Sequence, residues 1–284
     1  MGQVRGVYGS QWQWVEAIEP LGFSGQRELS DEDKAVLREL VPVDANSLPE
    51  DWAVLPPDPY FFGKAVARAM RIALIADEIG DADSCNKAIA RATSWLAPWL
   101  DGTNPDYLVY DEEWKGVVSS RGLTDPGADF GQGRYNDHHF HYGYFIYAAA
   151  TLAKLCPEWL TDERREAIDL LARDYCNPST SDCGDDEHFP FMRCFDFYEG
   201  HSLASGLFAF GDSRNQESTS EAINAYYAAF LYALATERPT IARFVRAVLQ
   251  LEARSSRFYW HLGDLSSDIY PEIFARGRAV VGIL

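Results

Sequence analysis

The sequence predicts an all-α fold, because helical periodicity runs through most of it and no strand pattern does. Phe62, Val66, Met70 and Ala73 recur at helical spacing within residues 60–79. Such spacing places apolar side chains on one face of a helix. The chain shows neither alternating strands and helices nor a regular series of short strands. Its helical hairpins recur without a fixed sequence period, so a strict solenoid is not expected.

Each predicted helix is supported by a start signal or by an apolar face. Ser30 and Thr161 are each followed by acids, the pattern of an N-cap and an acidic first turn. The segment from His138 is apolar on all sides and is expected to be buried. The segment from Glu217 is rich in alanine, which allows close helix packing. The predicted helices are residues 30–40, 60–79, 83–99, 138–155, 161–175, 217–236 and 239–257.

Two long irregular stretches separate these helices. Residues 101–137 are rich in Gly, Asp and Pro and contain a hairpin pattern at 107–119, and residues 176–216 are similar. Structureless loops of this length in a compact domain are usually functional. Both candidate sites described below lie where such a stretch meets a helix.

The composition is that of a globular protein with many acidic groups. The 284 residues carry a net charge of −18, and 14% of them are aromatic. Nucleic acid and anionic lipid would be repelled, so neither is an expected partner. No membrane insertion is predicted either, because no apolar run approaches the roughly 20 residues of a spanning helix. The aromatic residues admit two interpretations, core packing or a carbohydrate surface on which sugar rings stack.

The five cysteines support neither a disulfide framework nor a zinc site. Their number is odd and no CxxC spacing occurs. Cys176 and Cys183 could pair across a loop, whereas unpaired buried cysteines are the simpler interpretation. The N-terminal residues contain no apolar run suited to a signal peptide.

The first candidate site is YNDHHFHYGY, which starts at Tyr135 and enters the buried helix. Polar groups in an apolar helix are costly unless they have partners, and three interpretations are open. One is a metal site, although neighbouring histidines on a helix point in different directions. Another is that the histidines satisfy backbone groups. A catalytic acid fits best, because partial burial of Asp137 at the lip of the helix would raise its pKa and keep a proton to donate.

The second candidate site is NQESTSEAIN, residues 215–224. Glu217 and Glu221 are four residues apart and would share one face of a helix. A solvated helix start is the alternative, since acids favour the first turn. With Asp137, these carboxylates supply what glycoside hydrolysis needs: an acid for the leaving oxygen and a carboxylate that activates water or attacks. Sequence spacing does not distinguish retention from inversion.

Both segments resemble the signature blocks of glycoside hydrolase family 81, the endo-β-1,3-glucanases. YNDHHFHYGYF and NQESTSEAINAYY carry the resemblance, and PYFFGKAVARAMRIALIADEIG and FPFMRCFDFYEGHSLASGL support it in the same order. It extends over residues 55–284. The resemblance implies an (α/α)6-type helical toroid, endo-hydrolysis of β-1,3-glucan with inversion, and no cofactor or metal.

The resemblance also implies roles for individual residues. Asp137 matches the general acid, Glu217 the general base and Glu221 a second essential carboxylate, and which glutamate activates the water is left open. Trp114 and Tyr198 are candidates for stacking on glucose rings. The other implied substrate-binding residues are Tyr135, His141, Asp196 and His201.

Some features depart from the family's pattern. The family usually has GHSW where this chain has Leu203 as the fourth residue, so one aromatic wall is expected to be lost. Residues 1–284 are expected to form a single helical catalytic domain, the central part of the toroid, without the family's preceding β-rich domain and final helices. By the resemblance, we expect a monomer that acts outside the cell or in the cell wall.

Two alternatives to a hydrolase follow from these departures. One is a glucan-binding remnant without turnover. The other is a different toroid enzyme such as a polysaccharide lyase, which the charge of −18 disfavours because lyases usually act on acidic polymers.

Overall fold

The computed structural model describes residues 8–9, 21–25, 27–178, 187–211, 213–262, 270–276 and 280–281. Within them, the all-α prediction is confirmed, with two short two-stranded sheets added. The seven long helices are α1 (Asp31–Asn46), α2 (Pro59–Ile79), α3 (Ala82–Leu100), α4 (His138–Leu155), α5 (Asp162–Tyr175), α6 (Thr219–Ala235) and α7 (Pro239–Ser255), and a single turn, α8 (Glu272–Ala275), follows.

Three consecutive helix pairs determine the architecture. The helices α2, α4 and α6 pack side by side, and α3, α5 and α7 each lie behind the helix that precedes them in the chain. This is the inner and outer arrangement of an (α/α)6-type toroid, and the described helices do not close into a barrel. As predicted, α4 and α6 are inner helices, and nearly every residue of α4 is buried.

Close approach of the inner helices depends on two glycines. A Cβ on Gly143 of α4 would lie 2.7 Å from the Cα of Ala225 in α6. A Cβ on Gly63 of α2 would lie 3.0 Å from the Cβ of Tyr144 in α4. Any larger residue at Gly143 would push the helices apart, because the atom that it would meet belongs to backbone.

Most helix starts follow ordinary capping chemistry. Ser30 and Asp33 form a reciprocal capping box at α1, and the carboxylate of Asp58 accepts the N–H of Phe61 at α2. Two long helices are exceptions. Arg238 makes no side-chain cap at α7, and at α4 Asp137 precedes the first helical residue in a left-handed conformation and makes none either. The end of α1 was misplaced: the helix was predicted to end at residue 40, but it continues through Pro42 to Asn46.

The strands lie in the long loops. The predicted hairpin is confirmed as β1 (Leu108–Asp111) paired antiparallel with β2 (Gly116–Ser119). A second, two-residue pairing joins β3 (Phe195–Asp196) to β4 (His201–Ser202). No helix among the described residues is both long and apolar enough to cross a membrane.

Three cysteines are free thiols: Cys85, Cys156 and Cys194. Because Cys183 is outside the described residues, the Cys176–Cys183 pairing remains a prediction.

Candidate active site

Asp137 lies at the start of α4 in a conformation that frees its carboxyl group. Its φ is 59°, in the left-handed region that non-glycine residues seldom adopt. The backbone is fixed there because its N–H donates to the carbonyl of Ala204 at 2.9 Å and its carbonyl accepts the N–H of His141 at 2.9 Å. Oδ1 is shielded from solvent and makes no hydrogen bond.

The electrostatic environment of Asp137 favours the protonated form. Burial, and then the negative charges of Glu217 and Glu221, raise the pKa of Asp137 from its usual value to about 8. The prediction that partial burial would raise this pKa is confirmed. The charges of Glu217 and Glu221 therefore act on Asp137, although these residues come from the starts of two different helices. A carboxylic acid that stays protonated at neutral pH can act as a proton donor.

The prediction that Glu217 and Glu221 share one helix face was wrong. The helix α6 begins at Thr219, and Ser218 is its N-cap, whose hydroxyl accepts the N–H of Glu221. Glu217 therefore precedes the helix, with an exposed side chain and a left-handed φ of 63°. A serine directly before the apolar segment caps more effectively than a residue farther upstream, and this sets the start of the helix.

Glu221 is held by two hydrogen bonds and one ion pair. Its Oε1 accepts the hydroxyl hydrogens of Tyr60 and Tyr144, both at 2.7 Å, and the ammonium of Lys64 lies 3.7 Å away. Lys64 also donates to the Tyr60 oxygen at 3.0 Å. Because an ionised carboxylate accepts hydrogen bonds and donates none, this arrangement suits the charged form of Glu221.

A fourth carboxyl group supports the loop that carries Glu217. Glu252 on α7 is fully buried and accepts the backbone N–H of Ser202 at 2.7 Å and the side-chain amide of Gln216 at 3.1 Å. Burial raises the pKa of Glu252 to about 7. One buried side chain therefore connects α7 to β4 and to the residue immediately before Glu217.

The three histidines of the first motif serve different partners. His138 contacts the carboxylate of Asp174 at 2.5 Å and the carbonyl of Gln132 at 2.7 Å, one through each ring nitrogen. Both ring nitrogens of His138 therefore have a partner within the protein. His139 faces the hydroxyl of Ser202 at 3.1 Å, and burial lowers its pKa to about 3.

His141 is also buried, and burial lowers its pKa well below the usual value. Its ring lies beside that of Tyr60, with 5.2 Å between the ring centroids. The structural interpretation therefore accounts for His138 and His139, while His141 lies beside the residues that hold Glu221. Among the described residues, no three His, Cys, Asp or Glu side chains converge as a metal site would require.

Three of the predicted substrate-binding residues border one cavity of about 610 Å³: Trp114, Tyr135 and Asp196. Leu203, at the position where the family usually has tryptophan, lines it as well. Tyr135 is buried and fixed by its hydroxyl bond to Asp111 at 3.0 Å, while Trp114 is 50% exposed. The wall of the cavity includes Tyr135, two residues before Asp137, and Ser205, the neighbour of Ala204, whose carbonyl accepts the Asp137 N–H.

Besides His141, two further predicted binding residues, His201 and Tyr198, lie outside this cavity. His201 is buried, contacts the carbonyl of Ser202 at 2.8 Å and packs its ring near Trp260 and Tyr259. Tyr198 is 78% exposed and lines a smaller cavity of about 160 Å³ that it shares with Tyr259. The structure does not bring these two side chains to the cavity of Trp114.

Sequence reasoning missed the residues that position the carboxylates. Tyr60 and Lys64 were treated as parts of a helix, and Glu252 as part of an amphipathic segment. Spacing on α2 contained a weak signal, since Tyr60 and Lys64 are four residues apart and share a face. Glu252 gave none, because its partners are distant in the chain.

Comparisons with known proteins place the chain in a family. Residues 30–284 match the profile of the Glycosyl hydrolase family 81 C-terminal domain. The glucan endo-1,3-beta-D-glucosidase of Glycine max is 35% identical over the whole chain, which covers 42% of that relative. The primary septum glucan endo-1,3-beta-D-glucosidase of Schizosaccharomyces pombe is 37% identical over 80% of the chain, which covers 23% of it.

The fold has a solved counterpart as well. A glycoside hydrolase family 81 structure from Clostridium thermocellum, CtLam81A, superposes with a TM-score of 0.70 at 30% identity, covering 88% of this chain and 33% of that one. The chain therefore spans less than half of the length of each of these relatives. The profile match, the relatives and the fold agree that this chain belongs to glycoside hydrolase family 81.

Proposed function

We propose that this chain hydrolyses β-1,3-glucan internally, with inversion, as an endo-β-1,3-glucanase. The observation that carries the proposal is the carboxyl group of Asp137, whose pKa is raised to about 8 by burial and then by the charges of Glu217 and Glu221. Glycosidases need an acid and a base with separated pKa values. The names of the similar proteins support the choice of glucan.

Asp137 is the proposed general acid. Its protonated carboxyl group donates to the glycosidic oxygen as the bond to the anomeric carbon breaks. The unpartnered Oδ1 and the left-handed backbone support this role, because no protein group competes for the carboxyl group.

Glu217 is the proposed general base. It would remove a proton from the water that attacks the anomeric carbon from the opposite side. Its exposed side chain supports this assignment, since the attacking water must come from solvent. Glu221, held by Tyr60 and Tyr144, would orient the same water. For inversion, the acid and base carboxyl groups should be about 6.5–9.5 Å apart.

The glucan is proposed to extend from the carboxylates into the cavity of about 610 Å³. Trp114 offers an exposed ring for a sugar, and Tyr135 and Asp196 form part of the wall. The proposed ligand is a neutral polysaccharide, so the protein's net charge of −18 does not repel it.

Incubation of the purified chain with laminarin tests the proposal. We expect new reducing ends, a mixture of oligosaccharide lengths from the first minutes, and the α-anomer as the initial product by proton NMR. Cellohexaose, a β-1,4-linked glucan, is the control substrate and should remain intact. Binding of laminarin without any new reducing ends would contradict the proposal and favour a binding remnant. An initial β-anomer would contradict inversion but would leave the proposed hydrolysis intact.

A further inference from the structure

We propose that Phe61 and Phe130 form a sugar-binding platform beside the carboxylates, on which one glucose ring of the substrate stacks. Neither residue was among the predicted binding residues. The identity of the ligand as a β-1,3-glucan rests on the proposed function, whereas the platform itself rests on ring contacts, exposure and backbone conformation.

The platform lies one side chain away from the catalytic cluster. Tyr60 donates its hydroxyl hydrogen to Glu221 at 2.7 Å, and the charges of Asp137 and Glu217 also act on it. The ring of Phe61 lies 4.9 Å, and that of Phe130 5.7 Å, from the ring of Tyr60. A sugar on these rings would therefore belong to a chain that passes the carboxylates.

The two phenylalanines form one exposed apolar surface. Their rings are 5.8 Å apart, and the side chains are 46% exposed for Phe61 and 54% exposed for Phe130. Phenylalanine is among the residues most often buried, and a contiguous exposed apolar patch next to polar groups marks a binding surface. The exposure of this aromatic pair therefore indicates a binding surface.

The backbone holds Phe130 outward at a cost in strain. Asp129 and Phe130 have φ values of 51° and 64°, in the left-handed region. The loop is fixed on both sides: Asp129 is buried and accepts the hydroxyl of Ser119 at 2.5 Å, and Gln132 is buried and accepts the N–H of Ser119 at 2.6 Å. Such strain persists where the surroundings over-determine it, and it clusters at ligand clamps.

A neutral sugar ring fits this surface better than other ligands. The C–H face of glucose is apolar and can lie flat on an aromatic ring, while its edge carries hydroxyl groups. Three carboxyl groups next to the platform disfavour an anion.

Binding of laminarihexaose by titration calorimetry tests the proposal on the full chain. Asp137→Asn is the background, so that the oligosaccharide is not consumed. We expect Phe130→Ala to weaken binding about tenfold, a typical effect of losing an aromatic contact. Phe130→Trp should retain binding and Phe130→Leu should not, because Leu keeps apolar bulk without a flat ring. Phe208→Ala is the matched control, since Phe208 is 65% exposed in another loop.

Circular dichroism melting of each variant excludes misfolding, and the wild-type laminarin assay keeps the two proposals separate. Hydrolysis by the wild type with unchanged binding by Phe130→Ala would overturn the platform and leave the proposed function intact. If binding depends on Phe130 but the wild type does not hydrolyse laminarin, the platform is supported and the proposed function is contradicted. Equal losses in Phe130→Ala and Phe208→Ala, or no binding of laminarihexaose at all, would also overturn the platform.

Discussion

Asp81 and Asp137 occupy the same position relative to their helices, directly before α3 and α4, yet their carboxyl groups have opposite properties. Asp81 has a φ of −92° and accepts the N–H of Ser84 at 3.1 Å, and hydrogen bonds from Ser84 lower its pKa. Asp137 has a φ of 59° and makes no cap, and its pKa is raised to about 8. Because the residue type is identical, the backbone conformation and the neighbouring groups determine whether the carboxyl group caps the helix and in which direction its pKa shifts.

The difference shows how a common structural residue becomes a candidate acid. An N-cap aspartate normally satisfies exposed backbone N–H groups and remains ionised. At α4, the left-handed backbone turns the carboxyl group away from those donors, and the charges of Glu217 and Glu221 oppose its ionisation. The same features that remove a cap therefore leave a proton available for transfer.

The largest expected effect is on catalysis. Asp137→Asn and Glu217→Gln should each lower kcat for laminarin by about 10²–10⁴-fold, the usual contribution of a general acid or base. Both changes are nearly isosteric, so melting temperatures should remain within a few degrees of the wild type. Asp81→Asn, the matched change at α3, should leave kcat unaltered. Equal activity of Asp81→Asn and Asp137→Asn would show that Asp137 has no catalytic role that Asp81 lacks.

Azide identifies the base within the same experiment. In an inverting enzyme without its base, azide can replace water and give an α-glycosyl azide. We expect rescue of Glu217→Gln and none of Glu221→Gln, because Glu221 orients the water and does not take its proton. The opposite pattern would exchange the roles of the two glutamates.

The next largest effect concerns the donors that hold Glu221. Tyr60→Phe and Tyr144→Phe should each lower kcat by about 10–100-fold, since a hydrogen bond to a charged group contributes about 1.5–3 kcal/mol. Tyr142→Phe is the control, because its hydroxyl bonds the Val117 carbonyl instead. Laminarin kinetics separate the cases: a rise in KM with unchanged kcat would show that the tyrosines bind substrate and do not position Glu221.

A smaller effect is expected from pH. The acid must be protonated to act, so kcat/KM should be constant just below the folded pKa of Asp137 and fall as pH rises through about 8. Glu221→Gln removes one negative neighbour, which lowers the pKa of Asp137 and moves this limb to lower pH. A limb that stays in place in Glu221→Gln would show that the two carboxyl groups are not coupled.

The smallest effect is on stability. Asp81→Ala removes an N-cap and should lower the free energy of unfolding by about 1 kcal/mol, measured by urea denaturation at pH 7. The folded pKa of Asp81 is depressed, so this stabilisation is present above its unfolded pKa and is lost as pH falls through the folded pKa. Asp137→Ala should show no such loss of capping energy. A similar loss in both would mean that Asp137 caps its helix after all.

The sequence was sufficient for the existence of the helices, because it depends on local pattern. The start of α4 at His138 and the hairpin at β1 and β2 follow from apolar runs and turn residues. The start of α6 was misplaced because a serine within the motif competes with the acid before it. Serine is a preferred N-cap residue, so Ser218 was the local signal for the later start.

The environment of the site was beyond sequence reasoning for a physical reason. Tyr60 and its acceptor Glu221 are 161 residues apart, and only the packing of α2, α4 and α6 brings them together. The left-handed conformations of Phe130 and Asp137 are likewise imposed by tertiary contacts and run against residue preference. At these positions the conformation in the fold conflicts with residue preference, so prediction from local sequence fails there.

The most direct test of this account is the carboxyl carbon-13 NMR titration of Asp137, with Asp81 observed in the same sample. The account predicts that Asp137 titrates near 8 and Asp81 below 3.8, and that Glu221→Gln lowers only the value for Asp137. If Asp137 titrates near 3.8, as an unperturbed aspartate would, it is ionised at neutral pH and cannot be the proton donor.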